Sequence, residues 1–189
     1  QVIWPLIKKR LPKAELHIYG AYKSQKVENL HRPKEGFFIN GFTEDVNEVM
    51  KNARLCLAPL RFGAGLKGKL IDAMKNGTPC VMSSIAAEGM FGTLKPNGFI
   101  TDHPELFAQH VVTLYENPKL WKEKQHFGVE TINTRFYKNH FTSIFETKIE
   151  DLQNNLEDHR ERNFLGQVLW HHTLQSAKYM SKWIELKTK

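Results

Sequence analysis

Two short apolar runs, LCLAPL at residues 55–60 and TPCVM at 78–82, are separated by a glycine-rich segment and one helix-length amphipathic stretch. An unbroken apolar run of this length suits a strand covered on both faces, and two such strands joined by a helical crossover pair in parallel. This feature commits the chain to layered α/β architecture and argues against a sandwich or a helical bundle.

The rest of residues 1–115 repeats the same unit. Strands are expected at residues 15–19, 37–40, 55–59, 79–83 and 98–100, with helices at 2–11, 24–32, 43–52, 68–76 and 104–116. Thr43, followed by Asp45 and Glu48, reads as the N-cap and acidic first turn of one helix, and Asn76-Gly77 closes another with a residue free to take positive φ. The expected fold class is therefore α/β, an open, mainly parallel sheet with helices on both faces, followed by a helical C-terminal tail. Past Asn117-Pro118 strand signals stop. Phe141, Ile144, Phe145, Ile149, Leu152 and Leu156 recur at helical spacing, and Phe164, Leu165, Val168, Leu169, Ala177, Met180, Trp183 and Ile184 do so less regularly. That surface needs an apolar partner, and self-association through these helices is expected. His171 and His172 are adjacent and cannot share one helix face, so no metal site is expected there.

A chain of 189 residues with 41% hydrophobic and 25% charged content is long enough for one domain and an appendage. It opens on Gln1, and VIWPLIKKRLPKAEL already reads as a helix leading into a strand, so a fragment of a larger protein is expected. No run reaches the roughly 20 apolar residues that a bilayer requires and no secretory signal is present, so a cytoplasmic location is expected. Cys56 and Cys80 sit inside apolar runs and read as buried thiols. The net charge of +7 is skewed: residues 1–90 hold 14 Lys and Arg against 8 Asp and Glu, residues 91–189 hold 13 against 12. The excess accompanies the glycine-rich segment and suits an anionic ligand. Only Lys8, Lys9, Arg10 and Lys13 cluster, without interleaved aromatics, so nucleic acid is not an expected partner.

The chemistry concentrates in RFGAGLKGKLIDAMKNGTPCVMSS, residues 61–84. Gly63, Gly65 and Gly68 let backbone N–H groups approach a ligand, the following helix points its positive end at the same place, and Lys67 and Lys69 add charge. A diphosphate is the natural guest. Residues 63–69 also fit the first seven positions of a P-loop, but Leu70 stands where a hydroxyl should reach Mg²⁺, and the strand at 79–83 supplies no acidic residue. No metal and no other cofactor is expected.

These residues resemble a known family. RFGAGLKGKLIDAMKNGTPCVMSSIAAEGM is similar to the donor-site signature of family 4 retaining glycosyltransferases (glycosyltransferase group 1, GT-B fold), in the subgroup marked by R-x-G-A-G-x-K-x-K. PLIKKRLPKAELHIYGAY and NGFTEDVNEVMKNARLCLAPL extend the likeness over roughly residues 1–130. The resemblance implies a Rossmann-like C-terminal lobe over residues 1–130 that binds a nucleotide-diphosphate sugar, with a helical extension at 131–189. It further implies that the acceptor site and some sugar contacts belong to an N-terminal lobe of the same protein.

By the resemblance, Asp72 accepts hydrogen bonds from the ribose hydroxyls, Lys67 neutralises the diphosphate as the glycosidic bond breaks, and Arg61 is a second candidate for that charge. Gly63, Ala64 and Gly65 contribute donor-binding backbone, and the backbone at Gly41 and Phe42 borders the base. Many family members carry two glutamates separated by seven residues, the second at the position of Asp72; the first falls on Ala64 and is missing, with Glu88 a candidate substitute. The strand that normally precedes the first helix of this lobe is also missing. The competing reading is a non-catalytic module that binds a phosphorylated ligand or a protein partner.

Overall fold

The computed structural model describes residues 2–187, the side chains of residues 172–174 excepted. The chain divides into two compact units, with the boundary between Tyr137 and Lys138.

The first unit alternates helix and strand: α1 (Ile3–Arg10), β1 (Leu16–Tyr19), α2 (Gln25–Glu28), β2 (Phe37–Gly41), α3 (Val46–Asn52), β3 (Cys56–Ala58), α4 (Gly68–Lys75), β4 (Cys80–Met82), α5 (Ser84–Ala87), β5 (Gly98–Ile100), α6 (Pro104–Glu116) and α7 (Pro118–Thr131). Every strand pair is parallel. On β4, Val81 faces a cluster with Ile7 of α1, Ile39 of β2 and Phe107, Val111 and Val112 of α6. Its neighbours Cys80 and Met82 face a second cluster with Leu70, Ala73 and Met74 of α4. All three β4 side chains are 0% exposed, which is why the run shows no polar alternation. Each large side chain so buried stabilises the fold by about 1.5–3 kcal/mol relative to leaving it in water.

The hydrogen-bonded sheet is discontinuous. β1 pairs with β2, and β3, β4 and β5 form a separate ladder in that order; among the described residues nothing joins β1 to β3. β1 is correspondingly less covered, with Ile18 37% and Tyr19 41% exposed. The two sheets share the cluster of α1 and α6, so apolar packing rather than strand pairing unites them.

Three local expectations change. The helix over 43–52 begins at Val46, because Asp45, not Thr43, is its N-cap: the Asp45 carboxylate accepts from the Asn47 and Glu48 N–H groups, while the Thr43 hydroxyl donates to the Asp45 carbonyl at 3.3 Å. The helix over 24–32 shortens to α2, which ends at Glu28, and Arg32 leaves helical backbone before Pro33, which opens a 3₁₀ turn of its own (Pro33–Glu35). The short α5 was not expected; Ser83 caps it by accepting from the Ala86 N–H at 3.3 Å. At the other end of the unit, the Trp121 indole of α7 donates to the Arg54 carbonyl at 2.7 Å, and the Arg54 guanidinium lies over the Trp121 ring, fastening α7 to the residues that lead into β3.

The second unit is helical: α8 (Asn139–Asn154), α9 (Leu156–Arg162) and α10 (Phe164–Lys187). None of its described side chains is buried. Phe145 is 65% exposed, Phe164 68%, Leu165 72% and Trp183 57%. His171 is exposed, and the side chain of His172 lies outside the described residues.

Candidate functional site

Short parallel strands leave their carboxyl ends as the places where chain-reversing loops gather, and open α/β sheets bind ligands there. After β3, Pro59 and Leu60 lead into the loop at 61–67, which enters α4 at Gly68. Gly63 (φ 155°) and Gly65 (φ 64°) adopt backbone that other residues avoid, and this winds the loop tightly enough to bring its end over its start.

Lys67 occupies the N-cap position of α4 in extended conformation, and its side chain folds back into the loop. Only 7% of it is exposed, and its ammonium donates to the Gly65 carbonyl at 2.5 Å. No carboxylate pairs with it among the described residues. A nearly buried cation without a counter-ion costs stability, and here it stands beside the unpaired N–H groups of a helix start. Both features favour an anion at the same point.

Of the residues singled out from the sequence, Gly63, Ala64, Gly65, Lys67 and Asp72 fall within this one loop-and-helix segment. Asp72 is half-buried in the second turn of α4, and its carboxylate makes no hydrogen bond or ion pair among the described residues. Arg61 is exposed at the loop's start and also lacks an ion pair. Gly41 and Phe42 lie at the carboxyl end of β2, in the other sheet. Gly41 has φ 85° and its carbonyl accepts from the Gly20 N–H at 2.6 Å, while Phe42 is 71% exposed rather than packed in the core.

Sequence reasoning passed over three features. Lys23 approaches Gly41 and pairs with Glu28 at 3.2 Å, placing a cation at the end of β2. Tyr22 (102% exposed) and Phe62 (86%) add aromatic surface to the loops after β1 and β3, a signal visible as aromatics close to glycines in GAY and RFG. The third is the approach of the 88–92 loop, of which only Glu88 had been singled out, to the glycine loop: a β-carbon at Gly89 would lie 3.5 Å from Leu66 Cδ2. Glu88, which follows α5, is exposed.

Asp102 accepts from the hydroxyl and the N–H of Ser84, which hold its carboxyl below the usual carboxylate range. Burial pushes the Cys80 thiol up, while the contact with Cys80 across the β3–β4 ladder lowers that of Cys56; both thiols are free and buried, as expected. Among the described residues no group of three His, Cys, Asp or Glu is placed to hold a metal.

The family model for glycosyl transferases group 1 matches residues 1–117. The chain belongs to that family. Among curated proteins the chain is similar to an uncharacterized 44.6 kDa protein in the cps region of Klebsiella pneumoniae, 28% identical over 152 residues, which cover 76% of this chain and 39% of the relative. The fold is shared with solved GT-B glycosyltransferases. TarM of S. aureus, in a mutant form solved with UDP, Fondaparinux and alpha-GlcNAc-glycerol, is similar with a TM-score of 0.65 and 19% identity, over 77% of this chain and 31% of that one. The pneumococcal O-GlcNAc transferase GtfA, solved with UDP and GlcNAc, gives 0.66 and 14%, over 80% and 32%. WaaG, a glycosyltransferase of lipopolysaccharide biosynthesis, gives 0.57 and 17%, over 71% and 38%. The chain thus spans between about a third and two fifths of the length of these relatives. No described helix is long and apolar enough to cross a membrane.

Proposed function

We propose that this chain is the donor-binding, C-terminal lobe of a retaining glycosyltransferase of the R-x-G-A-G-x-K-x-K subgroup, and that it holds a nucleotide-diphosphate sugar at the 61–72 segment. The observation that carries the reading is Lys67, a cation 7% exposed, without a counter-ion among the described residues, at the start of α4. There it would neutralise the diphosphate and stabilise the leaving nucleotide as the bond to the sugar breaks. Arg61 supplies a second, exposed charge from the loop's edge, Asp72 receives the ribose hydroxyls, and Gly41 and Phe42 border the base. The sugar's acceptor and the rest of the catalytic machinery belong to an N-terminal lobe, so the isolated chain binds donor without turnover.

Charge neutralisation by Lys67 and the helix start makes a divalent metal unnecessary, and no other cofactor is required. The relatives solved with UDP make it the first probe. Calorimetric titration with UDP should show binding that persists in EDTA; binding that disappears on chelation refutes the metal-free site, and absence of binding to any nucleoside diphosphate refutes the donor site.

The exposed helices at 139–187 support a second proposal, that copies of this chain associate through them. Residues 139–162 hold six Asp and Glu against three Lys and Arg, while 164–187 hold three Lys against one Glu, so the acidic helices of one copy complement the basic helix of another. Phe164, Leu165, Met180 and Trp183 are expected among the covered contacts, with Leu169 beside them. A cytoplasmic location is proposed for the protein; among the described residues no helix is long and apolar enough to cross a membrane.

A further inference from the structure

Arg135 and the loop at 88–92 have no part in the donor site as drawn above, yet they are built onto it. After α5 the chain turns at Gly89 (φ 71°) and Gly92 (φ 61°), around Met90 and Phe91, which are 0% and 6% exposed. Those two side chains pack in the cluster of Leu70, Ala73 and Met74, so the loop is seated on the helix that carries Lys67 and Asp72. It also borders the glycine loop directly: a β-carbon at Gly89 would lie 3.5 Å from Leu66 Cδ2.

Arg135 reaches this loop from the far end of α7, where the helix widens into a π turn (Ile132–Phe136). Such turns insert a residue into the helical ladder and re-aim the side chains that follow, and they are frequent at functional sites. Here Ile132 and Phe136 pack on the same cluster as Met90 and Phe91 and anchor the turn. Arg135 Nη2 donates to the Gly89 carbonyl at 3.2 Å. Its guanidinium lies against Gly92, where a β-carbon would sit 3.0 Å from Cζ and meet Nη1, and where φ 61° itself favours glycine. Nε is buried without a hydrogen-bond partner, and among the described residues no carboxylate pairs with the guanidinium. A partly buried cation left short of partners destabilises the fold, and packing alone would be served better by an apolar side chain.

Resting on the donor-site reading, we propose that Arg135 is a positioning residue that clamps the 88–92 loop beside the 63–67 loop, so that the sugar-diphosphate portion of the donor is held between the two. Glu88 and the N–H groups that follow it then have a fixed place relative to Lys67. The role concerns the sugar end of the ligand; the nucleoside end, at Asp72 and Gly41, does not depend on it.

The test uses the chain as it stands, comparing wild type with R135A and R135K by hydrogen exchange at residues 88–92 and by titration with UDP and with UDP-N-acetylglucosamine. R135A should speed exchange across 88–92 and weaken the nucleotide sugar by about tenfold, with UDP changed by less than about twofold. R135K, which can still donate to the Gly89 carbonyl, should recover most of both effects. Unchanged exchange in R135A, or equal weakening of the two ligands, overturns the clamp. Wild-type protein that binds neither probe tells against the donor site alone, and the exchange result still decides the clamp. Should R135A fail to fold, R135Q, which keeps an amide donor, gives the same two readouts.

Discussion

Phe107 and Phe145 each sit on the apolar stripe of a helix longer than three turns, yet 2% of the first is exposed and 65% of the second. The difference does not lie in the helices, which both read as amphipathic. It lies in what each unit offers them. α6 lies against strands whose own apolar faces must be covered, and it joins a cluster drawn from α1, β2 and β4. In the unit from 138 onward only helices are available, none of its described side chains is buried, and the apolar stripes stay open. A helix period specifies that a face wants covering; it does not specify the cover.

The largest expected effect tests that contrast. Phe107→Ala should cost about 3–5 kcal/mol in denaturant unfolding of the chain, as large-to-small core changes do. Phe145→Ala, measured at concentrations where the chain is monomeric, should stay within about 0.5 kcal/mol, the range of surface substitutions. A large loss from Phe145→Ala in the monomer breaks the comparison and means that the second unit has a core of its own.

Next in size is Lys67→Ala, which sets the buried group proposed to meet the diphosphate beside the buried apolar ones. It should weaken UDP by about 1.5–3 kcal/mol, the worth of a charge-assisted contact, while nucleoside binding changes much less. Because the buried ammonium has no counter-ion, the variant should unfold at least as late as wild type in the absence of ligand. Equal weakening of UDP and uridine would make Lys67 a loop support rather than a phosphate ligand.

The exposed stripe yields a further expectation. Sedimentation equilibrium of the chain should show an apparent mass that rises with concentration, and the same chain ending at residue 158 should lose that rise. A full chain that stays monomeric at high concentration withdraws the association proposal and sharpens the contrast, leaving an open apolar surface with no second copy to cover it.

The smallest effect concerns Asp102, an exposed carboxylate whose bonds from Ser84 lower its pKa. A depressed folded-state pKa contributes stability above the unfolded value, and that contribution is lost as pH falls through the folded one. Asp102→Asn should therefore destabilise slightly at neutral pH, with wild type and variant converging below about pH 4. A difference that persists in acid would assign the effect to hydrogen-bond geometry rather than to charge.

How much of this was legible in the sequence differs from element to element. The five strands of the first unit lie at the expected places; for β3 and β4 the unbroken apolar runs carried the reading, because a strand covered on both faces has few polar positions, whereas β1 and β2 keep polar residues on their open face. The N-cap was misplaced from Asp45 to Thr43 because both residue types cap, and only the backbone decides which carboxylate or hydroxyl meets the free N–H groups. The glycine loop announced itself through Gly63, Gly65 and Lys67 in one short segment. Arg135 could not be found that way: it lies 43 residues from Gly92 in sequence and meets it only through the packing of Ile132 and Phe136.

The sequence by itself determined the parallel α/β class, the boundary beyond which only helices follow, and a glycine-and-lysine loop at a helix start, since each depends on residues near one another along the chain. The tertiary structure decided what depends on residues far apart. The ladder breaks between β1 and β3, and the clusters of α1 with α6 rather than hydrogen bonds hold the two sheets together. Lys67 turns inward to the Gly65 carbonyl with no acid to meet it. An arginine from the end of α7 closes on the 88–92 loop because a π turn, fixed by apolar contacts on either side, aims it there.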